Sequence, residues 1–204
     1  EQIAKQSPAD VDALLSQDAL ARPGTSISDM LNETVAKISE KISVRRFVRY
    51  EGLVDSYIHL GGKIGVLVDI DAPEALAGNA QFTQLAHDIA MHIAAARPTY
   101  LKREDVSTEE IEHEKEINRA IALNEEKPKP PEVIEKMLTG RIEKYYKEIC
   151  LLEQIFVKDS SLTIKKLLEN ASKELGAEIS VKRFTRYEMG EGLQKREDNF
   201  AEEV

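Results

Sequence analysis

The side chains with the widest chemical reach are four histidines, His59, His87, His92 and His113, and a single cysteine, Cys150. Imidazoles and thiolates hold metals or move protons when several converge on one point. His87 and His92 are five residues apart, which places them on different faces of a helix, whereas a helical metal pair needs three or four. Asp88 and His92 do have four-residue spacing. No third ligand accompanies them in the sequence, so a surface pair is the plainer reading. Cys150 lies in a run of helical apolar spacing and is expected to be buried and inert. Gly61-Gly62 with Lys63 is no phosphate loop, because that motif needs glycines four residues apart and Lys followed by Ser or Thr at a helix start. No nucleophile elbow, metal-ligand cluster or framed acid pair is found. These residue types predict a binding module without bond-making chemistry, with no catalytic residue, metal or cofactor.

Composition narrows the binding partners. The 204 residues include 37 acidic and 28 basic side chains, a net charge of −9, which argues against sequence-independent binding to phosphate backbones. Two strands, Arg45-Arg46-Phe47-Val48-Arg49-Tyr50 and Lys182-Arg183-Phe184-Thr185-Arg186-Tyr187, do interleave cations with aromatics as single-stranded nucleic-acid platforms do. Against the acidic total, the expectation is that their arginines pair with acidic neighbours. One cysteine cannot close an internal disulfide, which favours a reducing compartment. No apolar run approaches the roughly 18 residues a membrane span needs, and no membrane partner is expected.

The elements that would position these residues emerge from an internal repeat. Ile42-Ser43-Val44-Arg45-Arg46-Phe47-Val48-Arg49-Tyr50-Glu51 matches Ile179-Ser180-Val181-Lys182-Arg183-Phe184-Thr185-Arg186-Tyr187-Glu188 at eight of ten positions, 137 residues later. At the same offset Ile27, Met30, Leu31 and Ile38 fall on Ile164, Leu167, Leu168 and Leu175. Each copy reads as an amphipathic helix followed by a strand of period two. Between them, Asp55–Leu60 and Lys63–Ile70 read as a hairpin closed by a two-residue Gly61-Gly62 turn. Gln81 to Ala96 then reads as a helix ended by Pro98. Glu1 to Gln6, followed by Pro8, resembles the tail of that helix, so the first copy's hairpin is expected before residue 1. The fold class is α+β: two similar α/β core subdomains related by duplication, with an inserted helical hairpin.

That insertion is placed at residues 104–157. Ser107-Thr108-Glu109-Glu110 fits a capping box, and a charged helix runs on to about Asn124. Lys127-Pro128-Lys129-Pro130-Pro131 breaks it. Thereafter Ile134, Leu138, Ile142, Tyr145, Ile149, Leu152 and Phe156 follow a spacing close to a heptad seam. The result is an antiparallel arm. It is either self-contained with a solvated face or a contact surface on which Ile142, Tyr145 and Ile149 meet a partner or a second copy. The remaining divisions are 1–53 for the first subdomain, 54–103 with 158–190 for the second, and 191–204 for a short terminal helix carrying Leu193, Phe200 and Val204 on one side.

The accumulated motifs resemble one family. Ile42 to Phe47, Tyr57-Ile58-His59-Leu60-Gly61-Gly62-Lys63-Ile64-Gly65-Val66-Leu67-Val68, His87 to Ala95, Gly140-Arg141-Ile142-Glu143-Lys144, Cys150 to Gln154, Phe156 to Asp159 and Arg186 to Gly192 are similar to translation elongation factor Ts, in the family's order. The resemblance implies a guanine nucleotide exchange factor that binds the GTPase elongation factor Tu and drives out GDP by preferring the empty state. It implies that His59, before the glycine-rich turn, approaches the GTPase. It also implies contacts from Ile38 and Ser39 at a helix end, where the family usually has Ile-Gly, and from Val157 and Lys158 after the arm. A homodimer through the helical hairpin, and a bacterial cytoplasmic or organellar matrix location, follow by the same resemblance. The family's amino-terminal helical domain and its Thr-Asp-Phe-Val loop are expected before Glu1, so docking is expected to be retained here and exchange weakened. The alternative is a structural or RNA-associated protein sharing the fold and using the basic strands.

Overall fold

The computed structural model describes residues 1–124 and 130–193, which form two compact units, Glu1–Glu51 and Gly52–Val204.

The second unit is built on one central strand. Strands β3 (Leu53–His59), β4 (Ile64–Asp71) and β5 (Ser180–Glu188) make an antiparallel sheet in the order β3-β4-β5. In β4 the alternate residues Ile64, Val66, Val68 and Ile70 are all buried, the period-two pattern of a strand with one face on the core. Against that face lies α4 (Ala80–Ala96), which contributes Phe82, Leu85, Ile89 and Ile93. Asn79 starts this helix, its side-chain oxygen accepting from the amides of Gln81 and Phe82, and Arg97 ends it in a left-handed conformation before Pro98. Helix α7 (Ile164–Leu175) adds Ile164 and Leu168, while Leu151 and Phe156 complete the cluster. Burying Ile89 and Ile93 completely contributes on the order of 2 kcal/mol each before ordering costs.

The hairpin turn is longer than its glycines suggest. His59 pairs with Ile64, so residues 60–63 form the loop, and Leu60 joins Gly61 and Gly62 at positive φ. The expected two-residue turn is thus a four-residue one, because Leu60 leaves the ladder in a conformation that a branched side chain rarely adopts. On the other edge Asp69 faces Arg183 and Ile70 faces Val181, leaving Lys182 as the extra residue of a β-bulge.

The arm consists of α5 (Thr108–Leu123) and α6 (Pro131–Ile149). Pairs 119 with 135, 118 with 141 and 110 with 145 run in opposite senses along the chain, so the helices are antiparallel. Ala122, Ile134 and Leu138 form a small core of their own. The Ser107 hydroxyl caps Glu110 as expected, but Glu110 does not reach back. It accepts instead from Tyr100 and Tyr145. Helix α6 stops at Ile149, short of the expected Phe156. Cys150 is its cap, a turn follows at Leu151–Glu153, and the amides of Leu151 and Leu152 bond to the carbonyls of Tyr100 and Leu101. The heptad spacing continues past the helix because Leu152 and Phe156 serve the core of the second unit. The proline break, residues 127–129, and the terminal stretch with Phe200 and Val204 lie outside the described residues.

The first unit contains α1 (Gln2–Gln6), α2 (Val11–Ser16), a short pair of strands β1 (Asp18–Ala19) and β2 (Arg22–Ser26), and α3 (Ile27–Ile38). Helices α3 and α7 have identical bounds at the 137-residue offset. Ser26 and Thr163 cap their first turns, and Ser39 (φ 61°) and Gly176 (φ 64°) end them left-handed. Ahead of both helices the amide of the first residue bonds a glutamine carbonyl, Ile27 to Gln17 and Ile164 to Gln154, each at 3.0 Å. Arg49 Nε donates to the Ala4 carbonyl at 3.3 Å, and Arg186 Nε to that of Ala94 at 3.4 Å. Helix α1 matches the end of α4 at an offset of 90, with Ser7 and Arg97 as left-handed caps on Ile3 and Ile93. The strand expected over Val44 to Tyr50 does not form, since a strand needs a ladder and no described residue of Glu1–Glu51 supplies one.

Candidate partner-binding site

The residues expected to meet the GTPase fall on three places, two of them in the second unit and fastened to α4, and the arm residues make a fourth. His59 ends β3 and is exposed, flanked by the exposed apolar side chains of Ile58 and Leu60. Its Nδ1 lies 3.0 Å from the Tyr57 hydroxyl, with the rings stacked at 5.7 Å. Tyr57 in turn packs edge-on against His87, whose Nδ1 is 3.0 Å from Asp55. Hairpin tip and helix are thereby linked.

Val157 and Lys158 follow the buried Phe156. Val157 is 52% exposed, so it has no part in core packing. Lys158 Nζ donates to Asp88 at 2.7 Å, and Gln84 donates to the same carboxylate oxygen. His92 is fully buried, so Asp88 and His92 are not the surface pair that their spacing suggested. The His92 ring lies between two partners: Nε2 is 3.0 Å from Gln154 Oε1, and Nδ1 accepts from the Val157 amide at 3.3 Å. Burial holds this imidazole below its ordinary range, partly offset by the bond to Gln154.

In the first unit Ile38 ends α3 and is 52% exposed, so core packing does not account for it either. Ser39 follows it in the left-handed region where the second copy has glycine.

The arm residues face inward. Ile142 is buried, and the Tyr145 hydroxyl donates to Glu110 at 2.7 Å. Hydrogen bonds first from Tyr100 and then from Tyr145 hold the Glu110 carboxyl below its usual pKa range, and the same carboxylate holds the Tyr145 hydroxyl above its own. Ile149 is half-buried, its carbonyl accepting the amides of Thr99 and Tyr100. Among the described residues of α5 and α6, the exposed large apolar side chains are Ile117, Ile121, Leu123 and Val133. Arg103 fastens the arm's base, bonding Glu153 and both oxygens of Glu143, with its guanidinium 4.6 Å from the Tyr146 ring centre. Cys150 is buried and its thiol is pushed up to about 11, mainly by burial, as befits a structural cysteine.

Arg103 and Gln154 were not foreseen. The carboxylates that Arg103 bonds lie 40 and 50 residues away and His92 lies 62 residues from Gln154, beyond any local pattern, although Gln17 and Gln154 match at the repeat offset. Of the basic strands, Arg49 pairs with Glu51, Arg186 with Glu188 and Arg183 with Asp69. Among the described residues no group of three or more His, Cys, Asp or Glu could hold a metal ion, and no helix is long and apolar enough to cross a membrane.

Sequence comparison agrees with the motifs. The family model described as elongation factor TS matches residues 1–191. The elongation factor Ts of Desulforamulus reducens is 56% identical over 155 residues, covering 76% of this chain and 70% of that protein. That of Clostridium perfringens is 50% identical over 182 residues, covering 88% and 58%. That of Clostridium botulinum is 44% identical over 207 residues, covering 100% and 66%. The chain thus spans about 58% to 70% of the length of these relatives. It belongs to the elongation factor Ts family.

Proposed function

We propose that the chain binds the GTPase elongation factor Tu and takes part in guanine nucleotide exchange, through His59, Val157 and Lys158 of the second unit and Ile38 and Ser39 of the first. The observation that carries this reading is the exposure of Ile38 and Val157, two apolar side chains left in solvent at the positions where family members meet the GTPase. Both stand on fixed backbone: Ile38 precedes a left-handed cap and Val157 hangs from a buried imidazole. Such side chains bury apolar area on docking with little ordering cost. A GTPase bound more tightly when empty than with GDP loses its nucleotide by linkage.

The two units are proposed to be copies of one α/β plan, supported by the matched caps and hydrogen bonds described above. The division at residues 53, 104, 157 and 190 is proposed on the same basis. The arm is proposed as a second contact, with a further copy of this chain meeting its exposed Ile117, Ile121 and Val133 face rather than Ile142. A cytoplasmic or organellar matrix location is proposed from the family. The RNA reading is disfavoured by the carboxylates that face Arg49, Arg183 and Arg186.

Release of fluorescent GDP from elongation factor Tu tests the proposal. Saturable binding of the chain with faster GDP release is the expected result. Binding without acceleration limits the role to docking, and no binding overturns it.

A further inference from the structure

Resting on the docking reading of Val157 and Lys158, we infer that His92 is the positioning residue of that contact: its neutral ring, oriented by Gln154, holds the Val157 amide so that the side chain stands in solvent.

The proton positions follow from a chain of constraints. Gln154 Nε2 donates to the Glu148 carbonyl at 2.6 Å and to that of Ala96 at 3.3 Å. Its Oε1 is therefore an acceptor, and His92 Nε2 must carry the hydrogen that fills the 3.0 Å contact. That leaves Nδ1 as a lone pair, as the Val157 N–H requires. A protonated ring would put a donor against that N–H and abolish the bond.

The first unit contains the same device without a titratable group. Gln2 occupies the place of His92 at the 90-residue offset. Its Nε2 donates to Gln17 Oε1 at 3.0 Å, and its Oε1 accepts from the Leu20 amide at 2.9 Å. Gln17 donates to the carbonyl of Gln6, as Gln154 does to that of Ala96. Leu20, the counterpart of Val157, is likewise exposed. A glutamine thus makes both bonds that the histidine makes, which identifies the conservative replacement in advance.

Both hydrogen-bonding partners of the ring are neutral. Phe156 lies 6.1 Å away, centre to centre, and Gln154 fills Nε2. The nearby charges, Asp88 one turn earlier on α4 and Lys158 on the following loop, are paired with each other.

His92→Gln and His92→Leu in the whole chain test the inference by amide exchange at Val157 and by calorimetric affinity for nucleotide-free elongation factor Tu. His92→Gln should keep both within about threefold. His92→Leu should lower Val157 protection and affinity by about tenfold each, the scale of one hydrogen bond with its orphaned donor, while the amides of Val66 and Val68 stay protected. Equal damage from both variants, unchanged Val157 protection in His92→Leu, or lost protection with unchanged affinity would overturn the inference. Should His92→Leu fail to fold, wild type decides. Val157 protection, corrected for intrinsic exchange, should fall on acidification in wild type and stay flat in His92→Gln; a flat wild type overturns the inference. If wild type does not bind the GTPase at all, the docking reading fails, and the exchange data still report whether His92 holds Val157.

Discussion

Helices α3 and α7 have the same bounds, the same caps and the same left-handed exit, yet they live in different surroundings. Ile164 and Leu168 of α7 are buried, while their counterparts Ile27 and Leu31 in α3 are only half-buried and α3 buries no residue fully. The contrast separates what a segment specifies for itself from what a neighbour must provide. Caps, the αL residue and the bond from the first helical amide to a glutamine carbonyl are local and recur at the repeat offset. Burial and strand formation need a partner, and only the second unit has the β4 ladder for its strand.

The two helices should differ most in the core. Ile164→Ala should cost about 3 kcal/mol and Ile27→Ala about 1 kcal/mol, since a cavity term accrues only where the site is closed. Denaturant unfolding of the two variants checks the ratio. Arg103→Ala should cost about 1 to 2 kcal/mol by releasing Glu143, Glu153 and the Tyr146 ring, discounted because Arg103 is itself partly exposed. It should appear as faster amide exchange at Leu151 and Leu152, with β4 unaffected.

The helix exits should respond with opposite signs. Ser39→Gly relieves a non-glycine residue at φ 61° and should stabilise by about 0.5 kcal/mol, while Gly176→Ser should destabilise by about 1 kcal/mol. Thermal unfolding resolves both. The smallest effect is a pH slope. Because burial holds the folded pKa of His92 below the ordinary imidazole value of 6.5, the unfolded chain binds the extra proton. Stability is therefore complete above about pH 6.5 and declines as pH falls toward the folded value. His92→Gln should remove that component of the slope in urea titrations at a series of pH values.

Much of this was legible in the sequence because it is periodic or repeated. The alternation in Ile64, Val66, Val68 and Ile70, the stripe of α4 and the 137-residue match each carry their own signal. Three features were not legible, for physical reasons. Leu60 at positive φ is imposed by the hairpin geometry rather than by its own preference. The heptad spacing past Ile149 suited a longer helix, but Leu152 and Phe156 gain more from the β4 core. The burial of His92 depends on Gln154, 62 residues away, so its spacing from Asp88 suggested a surface pair. At the site, the exposed positions His59, Ile38 and Val157 came from family motifs, whereas the groups that fix His59 and Val157, namely Tyr57, His92 and Gln154, act through side-chain contacts that no motif records.

The central claim is that the exposed, fixed Val157 and its neighbours dock elongation factor Tu. Isothermal titration calorimetry of the nucleotide-free GTPase with wild type and with Val157→Asp tests it most directly. Saturable binding is expected, weakened at least about tenfold by Val157→Asp, as for an apolar contact replaced by a desolvated charge. Equal affinities for the two proteins, or no binding by wild type, would contradict it.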